Sequence, residues 1–450
     1  MNRQEFIDKL FAKAKAEGLE EFEAYFGSSD SFEVNVLEGE INEYSVSSSS
    51  GMGFRGVFAG RMGYASTEVL DDDAIDMLVK GVKENASLLE TDDNETIFEG
   101  SKEYPEVNLY DEKIAAIPAS KKIADCLELE KKVKALDARV QRLDGAAYVT
   151  SVGESRIVNS RGMDISQKSA VCGCYAVPVV KEGDNVDYGM DIKFSRHPEE
   201  IDIDEVAKKA VADAVEGLGG KSIPSGSYKV VFRNDMARTL LGTFGTVFSG
   251  ETARKGLSLL KGKEGETIAA ECVTLVDNPL LENGGATAAY DGEGVAHSAH
   301  NVIENGKFIT LLHNRMTAAA MGTETTANAA RGGFAGKITV APTNFYIVPG
   351  EKTQEEIFEE VGDGLLITSL MGMHSGANAV SGDFSLGAKG FRIENGRKGA
   401  PVEQITVAGN FFDILKNVRA VGSDLEFGQP GGSCIGSPCL YVGEMSVAGL

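Results

Sequence analysis

The 450-residue sequence contains no tryptophan, only six cysteines and five histidines, and no apolar run long enough to cross a bilayer. So few cysteines over this length do not form the disulfide framework of a small secreted protein. The amino terminus mixes Lys and Glu with apolar residues, whereas a signal peptide needs an uninterrupted apolar stretch. These absences predict a protein of the reducing cytoplasm that does not enter membranes.

Positive charge is also scarce. The 68 Asp and Glu residues outnumber the 44 Lys and Arg residues, which gives a formal net charge of −24 and a pI of about 4.7. A surface of this charge repels phosphate backbones, so the sequence argues against direct nucleic-acid binding. The apolar content is ordinary for a folded protein, and the length predicts two or three domains.

The first half of the chain uses one pattern twice: a helix, several antiparallel strands and a closing helix. Alternating runs such as 21–26 and 32–37 predict short strands, and closing helices are predicted over 71–89 and 203–217. A polar connector, 90–109, separates the two units. From about Lys221, glycine becomes frequent and short β-like runs alternate with turn residues.

This organisation predicts an α+β fold. Two α+β lobes, residues 1–100 and 110–220, precede a large, Gly-rich, mainly β domain over 221–450. One helix is predicted early in that domain, over 235–248, with a face of large apolar side chains. Gly242 and Gly245 within it cost roughly 1 kcal/mol each relative to alanine, a cost usually accepted where another backbone approaches closely.

A glycine-rich motif, Gly51-Met52-Gly53-Phe54-Arg55-Gly56, resembles a nucleotide-binding loop only superficially. A phosphate-binding turn must follow a strand and open a helix, so that helix N–H groups meet the anion. The residues after this motif alternate like strands instead. A hairpin turn or a sheet edge is therefore the favoured interpretation.

The histidines provide one possible metal site. His297-Ser298-Ala299-His300 could place two imidazoles together on a helix turn, with Asp291, Glu293 and His313 nearby. Zinc needs three or four preorganised ligands, and these residues have no recognisable ligand spacing. We therefore interpret them as surface histidines, and we predict no metal or cofactor site in this chain.

Cys434 and Cys439 flank a Gly-rich turn near the carboxyl end. A thiolate nucleophile needs a base, and His374 is the only histidine in the Gly-rich stretch before them. Cys434 and His374 are thus the candidate catalytic residues. The favoured alternative is that both cysteines are small packing residues in a tight β region.

An ordered string of motifs in the carboxyl half is more specific than any of these features. The string consists of Gly382-Asp383-Phe384-Ser385-Leu386-Gly387, Gly390-Phe391, Ile393-Glu394-Asn395-Gly396, Pro401-Val402, Thr406-Val407-Ala408-Gly409-Asn410 and Val421-Gly422-Ser423-Asp424-Leu425. Asp291-Gly292-Glu293-Gly294 and Pro342-Thr343-Asn344 precede it in the same order. With these motifs the chain resembles the TldD/PmbA family, also called modulators of DNA gyrase, over nearly its whole length.

The resemblance implies an intracellular metalloprotease system that cleaves unfolded peptides and pairs a TldD-type subunit with a PmbA-type subunit, or TldE. The TldD-type chain carries an H-E-x-x-x-H zinc helix, aided by a cysteine near its carboxyl end. The corresponding segment here, Leu240-Leu241-Gly242-Thr243-Phe244-Gly245-Thr246, has neither histidine nor glutamate. Cys434 matches the cysteine position, but without the histidines it cannot form that site.

The resemblance therefore implies a PmbA/TldE-like subunit without its own zinc, the metal being expected in a TldD-type partner. The apolar face of the 235–248 helix is expected to pack against that partner. Two other functions stay open: a peptide-binding or regulatory homodimer without hydrolysis, and a thiol hydrolase using Cys434 with His374.

Overall fold

The computed structural model describes residues 1–88 and 95–450, and no helix in these ranges is long and apolar enough to span a membrane. Its first seven strands form one antiparallel sheet. They are β1 to β7: Phe22–Leu37, Glu40–Phe58, Arg61–Thr67, Val140–Asn159, Asp164–Glu182, Asn185–Tyr188 and Asp191–Ser195. The strand order is β3-β2-β1-β4-β5-β6, and β7 also lies beside β5.

The two repeated units share this sheet because β1 and β4 pair with each other, from Glu23 opposite Asn159 to Asn35 opposite Ala147. Helices cover the sheet in pairs, α1 with α2 on the first unit and α4 with α5 on the second. The bounds of α1 to α5 are Arg3–Ala16, Asp72–Leu88, Glu112–Ala116, Ala119–Leu136 and Ile203–Glu216. Leu89 and residues 90–94 of the predicted connector lie outside the described residues.

The carboxyl-terminal half contains most of the strands. Its strands β8 to β21 are Gly226–Phe232, Leu275–Asp277, His300–Glu304, Lys307–Phe308, Ala329–Arg331, Ile338–Val340, Asn344–Ile347, Gly364–Met371, Asp383–Glu394, Arg397–Asn410, Ala420–Val421, Glu426–Phe427, Cys434–Ser437 and Leu440–Ala448. Its helices α6 to α11 are Asn234–Phe244, Gly250–Arg254, Arg315–Met321, Gln354–Val361, Met373–Gly376 and Phe411–Asn417.

These strands form two six-stranded sheets and the hairpin β12–β13. One sheet has the order β17-β16-β15-β8-β21-β18, and a further pairing of β17 with β21 closes it. The other has the order β11-β10-β9-β14-β20-β19. Side chains from both sheets and from α6 form the largest apolar core of the protein. The predicted α+β fold, with helix–strand units followed by a large β-rich part, is confirmed.

Helix α6 lies inside that core. Leu240, Leu241 and Phe244 are at most 3% exposed, and the Phe244 ring stacks on Phe411 with ring centroids 5.0 Å apart. The expectation that this face packs against a partner subunit is therefore wrong, because its own chain already covers it. A Cβ on Gly242 would make only an ordinary 3.7 Å contact with Ile435, so no neighbouring backbone requires the glycine there.

Candidate functional site

A loop after β12 holds the carboxyl-terminal half against the amino-terminal sheet. Phe334 of this loop lies across Gly51 and Gly53 of β2. A Cβ at Gly53 would stand 2.1 Å from the Phe334 carbonyl oxygen, and one at Gly51 would stand 2.4 Å from its ring. Both glycines are needed for this close approach, since any larger residue would displace the loop.

The predicted hairpin turn or sheet edge at this motif is wrong. Gly51 to Gly56 lie within β2, which pairs with β1 on one side and, from Met52 onward, with β3 on the other. No helix opens after the motif, so the geometry of a phosphate-binding loop is absent from this described segment.

Four buried charged side chains reinforce the same contact: Glu23 of β1, Arg55 of β2, and Glu293 and Arg331 of the carboxyl-terminal half. Each is at most 6% exposed. Arg55 Nε donates to Glu23 Oε1 at 2.8 Å, and the Arg331 guanidinium donates to the same oxygen. Burial raises the pKa of Glu23, but the positive charges of Arg55 and Arg331 outweigh burial and lower that pKa overall.

Beside this contact, a cavity of about 500 Å³ lies between the sheet and the carboxyl-terminal half. We call it the large cavity. Its walls carry mainly small or hydroxylated side chains, which include Ser29, Ser151, Gly153, Ser169, Gly285, Ala286, Thr287, Ala288, Gly292, Ala329, Ala330 and Gly432. Small side chains therefore leave room for an extended peptide against the walls, while the backbone of β1 and β4 there is already paired within the sheet.

A second cavity of about 430 Å³ adjoins the first, and we call it the small cavity. Arg196, Gly285 and Pro430 line both cavities and mark their junction. The small cavity extends from there past Cys434 to a group of charged side chains that includes Asp191 and Lys209. The two cavities thus lie side by side between the two halves of the protein, and we call them together the cleft.

Arg196 follows β7 and reaches into the junction. Its Nη1 donates to the carbonyl oxygen of Leu109 at 3.3 Å, and its Nη2 donates to those of Gly284 and Gly285 at 3.2 and 3.4 Å. Its Nε is buried without a hydrogen-bond partner within residues 1–88 and 95–450. Burial lowers the pKa of this guanidinium.

His297 lines the large cavity and is only 7% exposed. Its Nδ1 lies 2.9 Å from the carbonyl oxygen of Ala288, so Nδ1 carries the proton and Nε2 is left as an acceptor. That Nε2 atom is buried and has no partner in the described part of the chain. Burial lowers the pKa of His297, which keeps the imidazole neutral at physiological pH.

Asp291 forms a turn beside His297 and organises the wall of the large cavity. Its carboxylate accepts the backbone N–H groups of Glu293, Val295 and Ala329 at 2.8, 3.0 and 3.0 Å. Burial, followed by the charge of Glu293, raises the pKa of Asp291. These bonds connect the turn to β12, so Asp291 has a structural role in shaping the cleft.

The interpretation of His297 and His313 as surface histidines is wrong. Both side chains are buried, and His313 Nδ1 hydrogen-bonds to Thr317 Oγ1 at 3.1 Å. His300 begins strand β10 and is not on a helix turn. His297 and His313 lie inward because their segments connect core strands, which the local sequence does not reveal, whereas His300 is half-buried.

One group of side chains among the described residues is close enough to share a metal ion: Asp111, His197 and Glu199. It does not include the histidines considered above. Lys113 Nζ lies 2.9 Å from a Glu199 carboxylate oxygen and 4.0 Å from one of Asp111. The carboxylates of this cluster are therefore already paired with an ammonium group.

The two candidate catalytic residues differ in environment. Cys434 lies in β20, is 1% exposed, and its Sγ is 3.5 Å from the carbonyl oxygen of Gly428. Burial raises the pKa of this thiol, which disfavours the thiolate. His374 lies exposed in α10, and no hydrogen bond or ion pair of the described residues joins it to Cys434. Their catalytic pairing stays a prediction.

Three domain families match the chain in order. The PmbA/TldA metallopeptidase domain 1 matches residues 22–86, the central domain matches 112–218, and the C-terminal domain matches 225–449. The matched segments lie in the first half of the sheet, its second half and the β-rich half respectively.

Relatives of known name or structure are similar over almost the whole length. A metalloprotease of Methanothermobacter thermautotrophicus is 27% identical over 89% of this chain and 88% of its own. Metalloprotease PmbA of Escherichia coli O157:H7 is 26% identical over 92% and 89%. A proposed modulator of a DNA gyrase from Thermotoga maritima, whose crystal structure is known, is 32% identical in sequence. Its structure superposes with a TM-score of 0.91, and the match covers 99% of this chain and 100% of that chain.

Proposed function

Because this chain belongs to the PmbA/TldA metallopeptidase family, we propose that it is the PmbA/TldE-like subunit of a TldD/TldE-type metalloprotease that processes unfolded peptides. In this proposal the protein acts in the cytoplasm beside a TldD-type partner, and the partner supplies zinc, the activated water and the general base. Relatives named as TldD homologues occur among the similar proteins, which supports a family with two kinds of subunit.

The observation that carries the proposal is the composition and burial of α6. The resemblance places the zinc-binding helix of TldD-type chains at this segment. Here Leu240, Leu241 and Phe244 fill an apolar core instead. A histidine or glutamate in such surroundings would lose its hydration without gaining a partner, at a cost of roughly several kcal/mol. The burial of these side chains supports a role for the helix in the fold, and the proposal assigns the metal ligands to the partner.

The cleft between the two halves gives the subunit its role. Its small side chains leave room for an extended peptide of varied sequence, because they impose few steric limits on the peptide's own side chains. Holding peptide beside a partner's metal would favour hydrolysis by positioning the scissile bond. The chain thus contributes binding, and the partner contributes the chemistry.

The test uses the chain alone and mixed with a relative that carries H-E-x-x-x-H. Zinc content and hydrolysis of an unstructured peptide are measured in both preparations, and a partner whose motif glutamate is replaced by glutamine serves as the inactive control. We expect zinc and hydrolysis only in the mixture. Hydrolysis by the isolated chain contradicts the proposal.

If the isolated chain does hydrolyse the peptide, two variants test whether it is a thiol hydrolase. Cys434→Ser abolishes activity of a thiol hydrolase, whereas Cys439→Ser, another buried cysteine nearby in sequence, is the matched control. Peptide binding without cleavage in either preparation would instead indicate a regulatory homodimer.

A further inference from the structure

Arg196 carries a positive charge at the junction of the two cavities, and no carboxylate of residues 1–88 and 95–450 forms an ion pair with it. Its three hydrogen bonds go to neutral carbonyl oxygens. Besides burial, only the Cys434 thiol among the described residues contributes to the shift of its pKa. A buried guanidinium normally finds a carboxylate, because the loss of hydration is otherwise uncompensated.

Arg196 is half-buried, and other buried or half-buried arginines of the protein are paired with carboxylates. Arg55 and Arg331 share Glu23, and Arg233 lies 2.5 Å from Asp213 and 2.7 Å from Asp235. In a chain with a net charge of −24, acidic partners are abundant. The unpaired state of Arg196 therefore reflects its position in the cleft and not a shortage of carboxylates.

The acids that line the small cavity do not neutralise Arg196. Four acids line this cavity. Asp191, Glu205 and Glu426 cluster around Lys209, whose Nζ binds a Glu205 carboxylate oxygen at 2.8 Å. The fourth, Glu282, is exposed and does not contribute to the pKa shift of Arg196. Burial raises the pKa of Asp191 to about 6, and the charges that act on it come from Lys209, Glu426, Glu205 and Lys193. The guanidinium of Arg196 is thus left for a ligand that enters the cleft.

Resting on the peptide-binding role above, we infer that Arg196 binds the carboxylate of an extended peptide lying in the cleft. A guanidinium binds a carboxylate through two parallel N–H···O bonds, which gives both strength and orientation. Gly284 and Gly285 hold this guanidinium through their carbonyl oxygens. They pack tightly on the same chain, since a Cβ on Gly284 would stand 2.6 Å from Asn344 Nδ2 and one on Gly285 would stand 2.7 Å from Cys434 Sγ.

The large cavity supplies a second polar contact for the same ligand. His297 Nε2 is buried without a hydrogen-bond partner among the described residues, so a polar main-chain group of the peptide can bind it. The carboxylate can come from the peptide's carboxyl terminus or from an acidic side chain. Both sources offer the same chemistry to Arg196.

Fluorescence anisotropy of labelled ten-residue peptides distinguishes the sources. One peptide lacks Asp and Glu and ends in a free carboxylate, the second has the same sequence with a carboxyl-terminal amide, and the third is the amide with one internal Asp. Each is titrated with the isolated full-length chain, which would not cleave it. The variants are Arg196→Gln and Arg196→Lys. Arg139→Gln is the matched control, because Arg139 is a half-exposed arginine that lines neither cavity.

We expect at least one carboxylate peptide to bind the unmodified chain about tenfold more tightly than the neutral amide, a typical gain for a charge-assisted pair. The preference should vanish in Arg196→Gln, persist in part in Arg196→Lys and be unchanged in Arg139→Gln. If Arg196→Gln fails to fold, the affinities of the three peptides for the unmodified chain still show whether the cleft prefers a carboxylate.

Equal affinity for all three peptides would overturn the carboxylate site and leave the peptide-binding role intact. The site would also be overturned if the preference survived in Arg196→Gln. Failure of every peptide to bind would overturn the carboxylate site and also the peptide-binding role on which it rests.

Discussion

Replacing Glu23 by glutamine tests whether buried charge holds the two halves of the protein together. Glu23 lies in the amino-terminal sheet and is fully buried between Arg55 of the same sheet and Arg331 of the carboxyl-terminal half. Glutamine has nearly the same shape, so the substitution opens no cavity. Its amide oxygen can still accept the hydrogen bond from Arg55 Nε. The change therefore isolates the loss of one negative charge.

The expected cost follows from the charges left behind. Two buried guanidinium groups would remain, with Glu293 3.9 Å from Arg55 as the nearest compensating carboxylate. Removing one member of a buried ion pair costs about 3–5 kcal/mol in free energy of unfolding. Because the hydrogen bond to Arg55 is retained, we expect the low end of this range, about 3 kcal/mol.

Urea unfolding followed by circular dichroism measures this loss. Glu17→Gln is the matched control: Glu17 is exposed and pairs with Lys83 and Lys13, so its replacement should leave the midpoint of unfolding almost unchanged. Since Glu23 joins the two halves, Glu23→Gln should also broaden or split the unfolding transition. A single transition with the midpoint of the Glu17→Gln control would refute the reasoning.

Three further predictions concern packing, thiol reactivity and pH. Gly53→Ala should lower stability by about 1–3 kcal/mol in thermal melts, since its Cβ would lie 2.1 Å from the Phe334 carbonyl oxygen, whereas Gly387→Ala, with ordinary 3.6 Å contacts, should cost less. Because burial raises its pKa, the Cys434 thiol should stay unreactive toward a disulfide reagent at pH 8 until unfolding, so Cys434→Ser should leave the rapidly reacting fraction unchanged. Burial raises the pKa of Asp191 to about 6, above an unfolded value near 3.9, so the native state loses stability as pH rises from about 4 to 6. Asp191→Asn should remove that loss, which is about 1 kcal/mol after allowing for partial exposure. The prediction is contradicted if Asp191→Asn changes the melting temperature of the protein by the same amount at pH 4.5 and at pH 7.5.

Local periodicity predicted the helices well. The closing helices expected over 71–89 and 203–217 are found at Asp72–Leu88 and Ile203–Glu216, because each has an apolar face that packs on the sheet. Strands were harder to delimit. The runs 21–26 and 32–37 belong to one strand, Phe22–Leu37, whose polar middle stays extended because β2 and β4 pair with it on both sides. Pairing between distant segments is not visible in a local pattern.

The candidate site was largely beyond sequence reasoning. Arg55 stood in a glycine-rich motif, but its partners Glu23 and Arg331 are separated from it by 32 and 276 residues (55 − 23 and 331 − 55). Arg196 lies in no motif. It becomes a candidate binding residue only because no carboxylate of the described residues pairs with it, and this depends on the fold. Gly51 and Gly53 stand out in the sequence, but the contact that requires them, the close approach of Phe334, is visible only in the fold.

The distribution of charge suggests how the cleft selects its ligand. The surface of the protein is strongly acidic, whereas Arg55, Arg196 and Arg331 lie between the two halves. Arg55 and Arg331 are balanced by Glu23 and Glu293 and serve cohesion. Lys193 and Lys209 of the small cavity lie near Asp191 and Glu205, whereas no carboxylate of residues 1–88 and 95–450 forms an ion pair with Arg196. Arg196 is therefore the cation at the junction that a ligand can neutralise. A peptide would therefore be oriented by a single carboxylate contact, while the small side chains of the remaining walls leave its sequence unrestricted.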